Sequence, residues 1–293
     1  MANKTTMGSN FSPETVKEVF SKVRGHSSLV LLSRATPVPF SGADIFTFSL
    51  DGECAIVGEG ANKPAGGATI GTVKMAPIKV MYQHRLSNEF MRASEEKALK
   101  MLEAFTDGYA KKIARALDIM AMHGVNPADL TASTLIGTNH LDTCQSVEYT
   151  DGKPTDALED AIALLGENDV TGYALSKTFG AALGKCKENG VSQYPEFKLG
   201  GNPGKLGGNT CDVNSTISKG NDKDLAFVGD FENAFKWGYA DQIPMEVIEY
   251  GDPDGQGDLK RTNEIVLRAE AWIGWGILDK AAFARIVLPA DAG

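Results

Sequence analysis

The 293-residue chain is poor in the features that mark several large classes of protein. It has four cysteines, Cys54, Cys144, Cys186 and Cys211, far apart and never in a C-x-x-C pair, so neither a disulfide framework nor a paired-thiolate zinc site is indicated. His140 with Cys144 is the one close pair of metal-type ligands, and two ligands do not make a site. No apolar run reaches the roughly 18 residues needed to cross a bilayer. The opening MANKTTMGSNFSPET lacks the apolar core of a secretory signal, which points to a protein made and used in a cytoplasm. Basic residues are in deficit, 29 Lys and Arg against 38 Asp and Glu, for a formal charge of −9. A protein that grips nucleic acid through its phosphates presents a basic face. If this chain meets DNA, it does so as a wall and not as a clamp.

Sequence motifs for catalysis are missing too. The glycine cluster GGNPGKLGG at 200–208 fails as a phosphate loop, because Leu199 stands where a glycine is needed and Leu206 where Ser or Thr must follow Lys205. It fails as a dinucleotide fingerprint because more turn residues follow it, not a helix. His26, His84, His123 and His140 sit in unlike contexts, none beside a nucleophile elbow. No catalytic, cofactor-binding or metal-binding residue is assigned, no cofactor is expected, and the chain reads as a non-enzyme.

What is present is a core: 42% of the residues are hydrophobic. The first ten residues read as a flexible polar arm. Ser12 then caps a short helix with Pro13 at its first position, Val16, Val19, Phe20 and Val23 on one face, and Gly25 as its stop. The arm and this helix carry a locally positive balance. The stretch 29–50 is strand-like. The glycine-rich segment 51–76 reads as a long two-stranded excursion, with CAIV and ATIGTVKM flanking a turn-rich tip. So long a hairpin is marginal alone, which implies support from outside the subunit.

Over 94–123, Phe105, Tyr109, Ile113, Leu117 and Met120 step by threes and fours, with Lys111, Lys112, Arg115 and Asp118 assigned to the opposite, solvent face. The spacing predicts a helix about 40–45 Å long, ended by Gly124. Beyond it come a helix at 155–165, a strand at Tyr173, a helix at 177–188 closed by Asn189 and Gly190, and strands at 225–228, 245–250, 265–277 and 283–288. No repeat or linker divides them, so the chain reads as one mixed α/β body with an arm and a loop projecting from it.

The order of segments in the C-terminal half, AFVGDFENAFKWGY, IPMEVIEYGDPDGQGD, TNEIVLRAEAWIGWGILD and KAAFARIVL, resembles tailed-bacteriophage major capsid proteins of the Hong Kong 97 fold family. Upstream, TGYALSKTFGAALGKCKENG and KLGGNTCDVNSTI continue the likeness, which covers nearly the whole chain. The resemblance implies an N-terminal arm (1–28), a P domain (29–50, 77–145 with a spine helix at 94–123, and 257–276), an E-loop (51–76) and an A domain (146–256 and 277–293). It implies self-assembly as hexamers and pentamers into an icosahedral shell around double-stranded DNA. The expected partners are further copies of the chain, a portal and decoration proteins. The absence before Leu29 of the charged helical segment that some relatives carry implies a separate scaffolding protein. The resulting location is the virion, with assembly in the host cytoplasm. Some relatives join an E-loop lysine to a P-domain asparagine; here Lys63 or Lys74, Asn263 and Glu270 stand at the corresponding places, and Arg268 is expected to hold Glu270 in an ion pair. An encapsulin-like nanocompartment is the nearest alternative, and a cytosolic α/β enzyme a remote one.

Overall fold

The computed structural model describes residues 27–89, 95–241 and 245–289; the arm helix expected at 12–25 lies outside the described residues. Helix α1 (Ser28–Leu32) comes first, then strands β1 (Ala43–Asp51), β2 (Gly67–Met75) and β3 (Ile78–Ser87) and the long helix α2 (Glu95–His123). After α2 come β4 (Gln145–Glu148), α3 (Pro154–Leu164), β5 (Gly172–Leu175) and α4 (Lys177–Lys185). The short strands β6 (Lys187–Glu188), β7 (Val191–Ser192) and β8 (Lys205–Leu206) lead to β9 (Asn209–Val213) and β10 (Asp224–Gly229). The chain closes with β11 (Phe235–Tyr239), β12 (Met245–Ile248), α5 (Leu259–Thr262), β13 (Glu264–Ile277) and β14 (Phe283–Val287).

Two sheets carry the body. In the four-stranded one, β13 is central and antiparallel to every neighbour, with β3 along one edge and β11 and β12 sharing the other. Its residues alternate. Ala269, Ala271, Ile273 and Trp275 join a core with Tyr109, Ile113, Leu117 and Met120 of α2, while Glu264, Arg268 and Glu270 keep partial contact with solvent. The six-stranded sheet runs β4-β14-β10-β5-β9-β8. Its middle strand β10 is buried on both faces: Phe227 enters the α2 core, while Ala226 and Val228 enter a second core with Leu158 and Ala161 of α3 and Phe179 and Leu183 of α4. That double burial is why LAFV reads as an unbroken apolar run. Full burial of each large side chain contributes about 1.5–3 kcal/mol, so β10 and β13 hold the two cores together.

Several expectations are corrected. The apolar run at 29–32 is helical, because Ser27 caps it by accepting from the Val30 N–H. The CAIV segment forms no strand; pairing stops at Asp51 opposite Gly67. The helix expected to reach residue 188 ends at Lys185, since Asn189 (φ 50°) and Gly190 (φ 81°) both take the left-handed turn that joins β6 to β7. Strands β11 and β12, within 146–256, hydrogen-bond to β13 of the 257–276 segment. Asp118, expected on the solvent face of α2, is wholly buried.

Candidate functional site

The hairpin β1–β2 is a two-stranded sheet of its own, in register from Ala43 opposite Met75 to Asp51 opposite Gly67. Opposed residues share a face, so Phe46, Phe48 and Leu50 lie with Ala68 and Ile70 on one side. Phe46, Phe48, Leu50 and Ile70 are 76%, 66%, 74% and 72% exposed. An apolar stripe of this kind on a ribbon too small to be stable alone marks an interaction face. Its root is firmly set. Met75 is buried, and a Cβ on Gly276 of β13 would come 3.0 Å from Met75 Cγ and 3.1 Å from Val73 Cγ1, so the hairpin's root packs closely on β13.

Asp118 ties α2 to α1. One carboxylate oxygen accepts from the Ser27 hydroxyl and the Leu29 N–H (3.2 Å), the other from the Ser28 N–H (3.0 Å) and the Thr216 hydroxyl (2.7 Å). Two of these donors are orphan amides of the first turn of α1, which a carboxylate satisfies well. Burial pushes the Asp118 carboxyl up to about 6, and the four donors oppose it.

A second buried cluster sits where α2 ends. His123 Nε2 lies 3.2 Å from the Thr216 carbonyl, which can only accept, so this nitrogen carries a proton. His123 Nδ1 lies 3.2 Å from both oxygens of Asp142 and 3.2 Å from Asp224 Oδ2. Arg285 Nη1 bonds Asp224 Oδ1 at 3.1 Å. Burial disfavours the imidazolium, but the two carboxylates outweigh it and raise His123 to about 9. Burial, helped by the neighbouring Asp142 carboxylate, pushes Asp224 up to about 6 against the opposing pull of His123. In Asp142 burial acts upward as well, but His123 and Arg285 overcome it and hold the carboxyl below its ordinary value. Among the described residues, His123, Asp142 and Asp224 form the group able to hold a metal ion. Neither His140 nor Cys144 belongs to it, and burial raises the Cys144 thiol to about 12. The spacing rules applied to the sequence missed this group because its members come from separate elements. The one local hint was a histidine just before the terminating Gly124.

The residues considered for crosslinking are not gathered in this chain. Lys63 and Lys74 are exposed on the hairpin. Glu270 pairs with Lys79 Nζ at 2.8 Å rather than with Arg268. Arg268 is held instead by Gln83 Oε1 at 3.0 Å and the Pro253 carbonyl at 3.2 Å. Asn263 caps α5 in the left-handed conformation and accepts from Asn88 Nδ2 at 3.4 Å.

A mixed α/β body, a long helix across a sheet and a ribbon with an exposed apolar face suit a subunit that builds by contact with neighbours. Comparison with known proteins agrees: the model of the Phage capsid family matches residues 10–288. A solved chain of Mycobacterium phage Ogopogo is 33% identical, with a TM-score of 0.78 over 90% of this chain and 92% of that one. One of Gordonia phage Cozz is 24% identical (TM-score 0.75, over 91% and 87%), and the capsid of an empty GTA particle, 15% identical (TM-score 0.63, over 90% of each), shares the fold. A search of curated protein sequences gives no match. The chain belongs to the Phage capsid family and is a major capsid protein. Nothing in these likenesses favours a nanocompartment or a cytosolic enzyme.

Proposed function

We propose that the subunit assembles as hexamers and pentamers into an icosahedral shell around double-stranded DNA, and that it does so without catalysing any reaction. The observation that carries this is the hairpin's apolar face, which no described residue of its own subunit covers. Fivefold symmetry is stated for the GTA capsid that shares the fold, and supports the pentamer. On this reading the four-stranded sheet with α2 forms the P domain, and the six-stranded sheet with α3 and α4 the A domain. Strands β11 and β12 then pass from the A domain to the P domain, and β1–β2 is the E-loop. Scaffolding, portal and decoration proteins, and assembly in the host cytoplasm, complete the proposal on the family resemblance. Purified subunit imaged by negative stain, with scaffold supplied, is expected to give closed particles. A sedimentation profile of monomers alone at high concentration would refute it.

Two further outcomes follow from charge and chemistry. At −9 the free subunit is expected to show no sequence-dependent DNA binding at physiological salt; a tight, sequence-selective band shift would contradict the container role. Mature particles boiled in denaturant and reductant are expected to run as a single band at the 31.2 kDa chain mass. Glu270 is occupied by Lys79 of the same sheet, so this carboxylate is not free to activate a hairpin lysine. A covalent ladder lost in Asn263→Asp would show that the subunit does chemistry.

A further inference from the structure

We propose that His123, Asp142 and Asp224 form a structural site for one divalent transition-metal ion of the zinc or manganese type, stapling the end of α2 to the six-stranded sheet. The case stands on geometry and does not rest on the shell-building reading. His123 Nδ1 lies at one common distance, 3.2 Å, from both Asp142 oxygens and from Asp224 Oδ2. One N–H points at one acceptor, and a charge-assisted N–H···O bond closes to about 2.7–2.9 Å. An ion about 2.0–2.2 Å from each donor instead sets neighbouring donors about 3.0–3.5 Å apart, which is the spacing from His123 Nδ1 to each of these oxygens. All the candidate ligand atoms lie within 4.8 Å of one another.

Asp224 supplies an independent observation. Its side chain is wholly buried, and its Oδ2 makes no hydrogen bond although it points into the cluster. The other oxygen, Oδ1, is taken by Arg285. A buried carboxylate oxygen is costly unless a cation meets it, and the group facing Oδ2 is His123 Nδ1 at 3.2 Å, longer than the about 2.7–2.9 Å of a charge-assisted bond.

The surrounding groups behave as outer support. The Thr216 carbonyl takes the His123 Nε2–H, fixing the ring so that Nδ1 is the nitrogen facing the carboxylates. The side chains of Asp142 and Arg285 are 14% and 21% exposed, against none for His123 and Asp224, so the entry path is on the Asp142 side. One imidazole with two carboxylates suits zinc or manganese, whereas magnesium and calcium prefer oxygen-only shells. The ion takes the place of the Nδ1 proton, which leaves to solvent, and no other bond changes.

The test uses the full-length subunit, stripped with a chelator and titrated with Zn²⁺, Mn²⁺ and Mg²⁺. Metal content per chain, calorimetric binding and the melting temperature are read together. The expected result is one Zn²⁺ or Mn²⁺ per chain, a melting temperature raised by several degrees, and no response to Mg²⁺. Asp142→Asn, at the partly exposed ligand, is expected to weaken binding at least tenfold and to abolish the metal-dependent rise in melting temperature, each variant being compared with its own apo form. Asp224→Asn is expected to do the same, and if it fails to fold, Asp142→Asn decides. A folded wild-type chain that takes up no ion, or uptake undiminished in Asp142→Asn, overturns the proposal.

Discussion

Replacing Phe46, Phe48 and Ile70 together by serine is expected to abolish shells while leaving the subunit folded. Among the described residues these side chains join no core cluster, being 76%, 66% and 72% exposed, so the monomer loses little burial. Pairing in β1–β2 is backbone hydrogen bonding and survives the change, since serine keeps its N–H and carbonyl. In the shell the same face is to be covered by a neighbour. Full burial of each large apolar side chain is worth about 1.5–3 kcal/mol, repeated at every subunit contact of that kind. Only the surplus over the cost of association appears as affinity, and a loss of several kcal/mol per contact exceeds that surplus in a weak, repeated interface. Circular dichroism and thermal melting of the free variant should match the wild type, while sedimentation shows no particles. Normal particles of unchanged thermal stability would show that the face is not a subunit contact.

Elements specified by local pattern were legible from residues alone. Helix α2 announced itself through apolar residues spaced by threes and fours, and β10, β13 and β14 through short apolar runs bounded by turns. The hairpin was legible as an excursion, although its paired span had to come from the register that closes at Asp51 and Gly67. What was not legible depends on partners remote in sequence. The LVLL run of α1 reads as strand because it is too short for periodicity to decide. The deciding contacts come from Asp118, some ninety residues away by the separations of 89, 90 and 91 positions to Leu29, Ser28 and Ser27. The same remoteness hid the His123 cluster and the passage of β11 and β12 into the sheet of β13. A charged residue in a helical pattern is placed on the solvent face by default, and Asp118 departs from that default because four donors await it.

Asp118→Ala is therefore expected to cause the larger loss of subunit stability, about 3–5 kcal/mol, the range found when one partner of a buried charged network is removed. The alanine leaves four buried donors without an acceptor: the Ser28 and Leu29 N–H groups and the Ser27 and Thr216 hydroxyls. The hydroxyls can turn to other acceptors, but the two amides are fixed by α1, and an unmet buried donor costs about 1–3 kcal/mol. Asp118→Asn sharpens the reading, because it keeps the shape and supplies one oxygen and one NH₂. Whichever way the amide is flipped, its NH₂ faces one of the two backbone N–H groups, Leu29 on one side or Ser28 on the other. A donor then meets a donor, so the asparagine is expected to fall between wild type and alanine, about 1–3 kcal/mol down. Thr216→Val, which removes a single rotatable donor, should cost about 1 kcal/mol. Urea unfolding of the full-length subunit under non-assembling conditions, followed by circular dichroism, measures all three. The order Ala, then Asn, then Val in severity is the signature of a carboxylate holding α1 by its amides. Equal midpoints for Asp118→Ala and wild type would mean that α1 is held by apolar packing of Leu29 and Leu32 and not by Asp118.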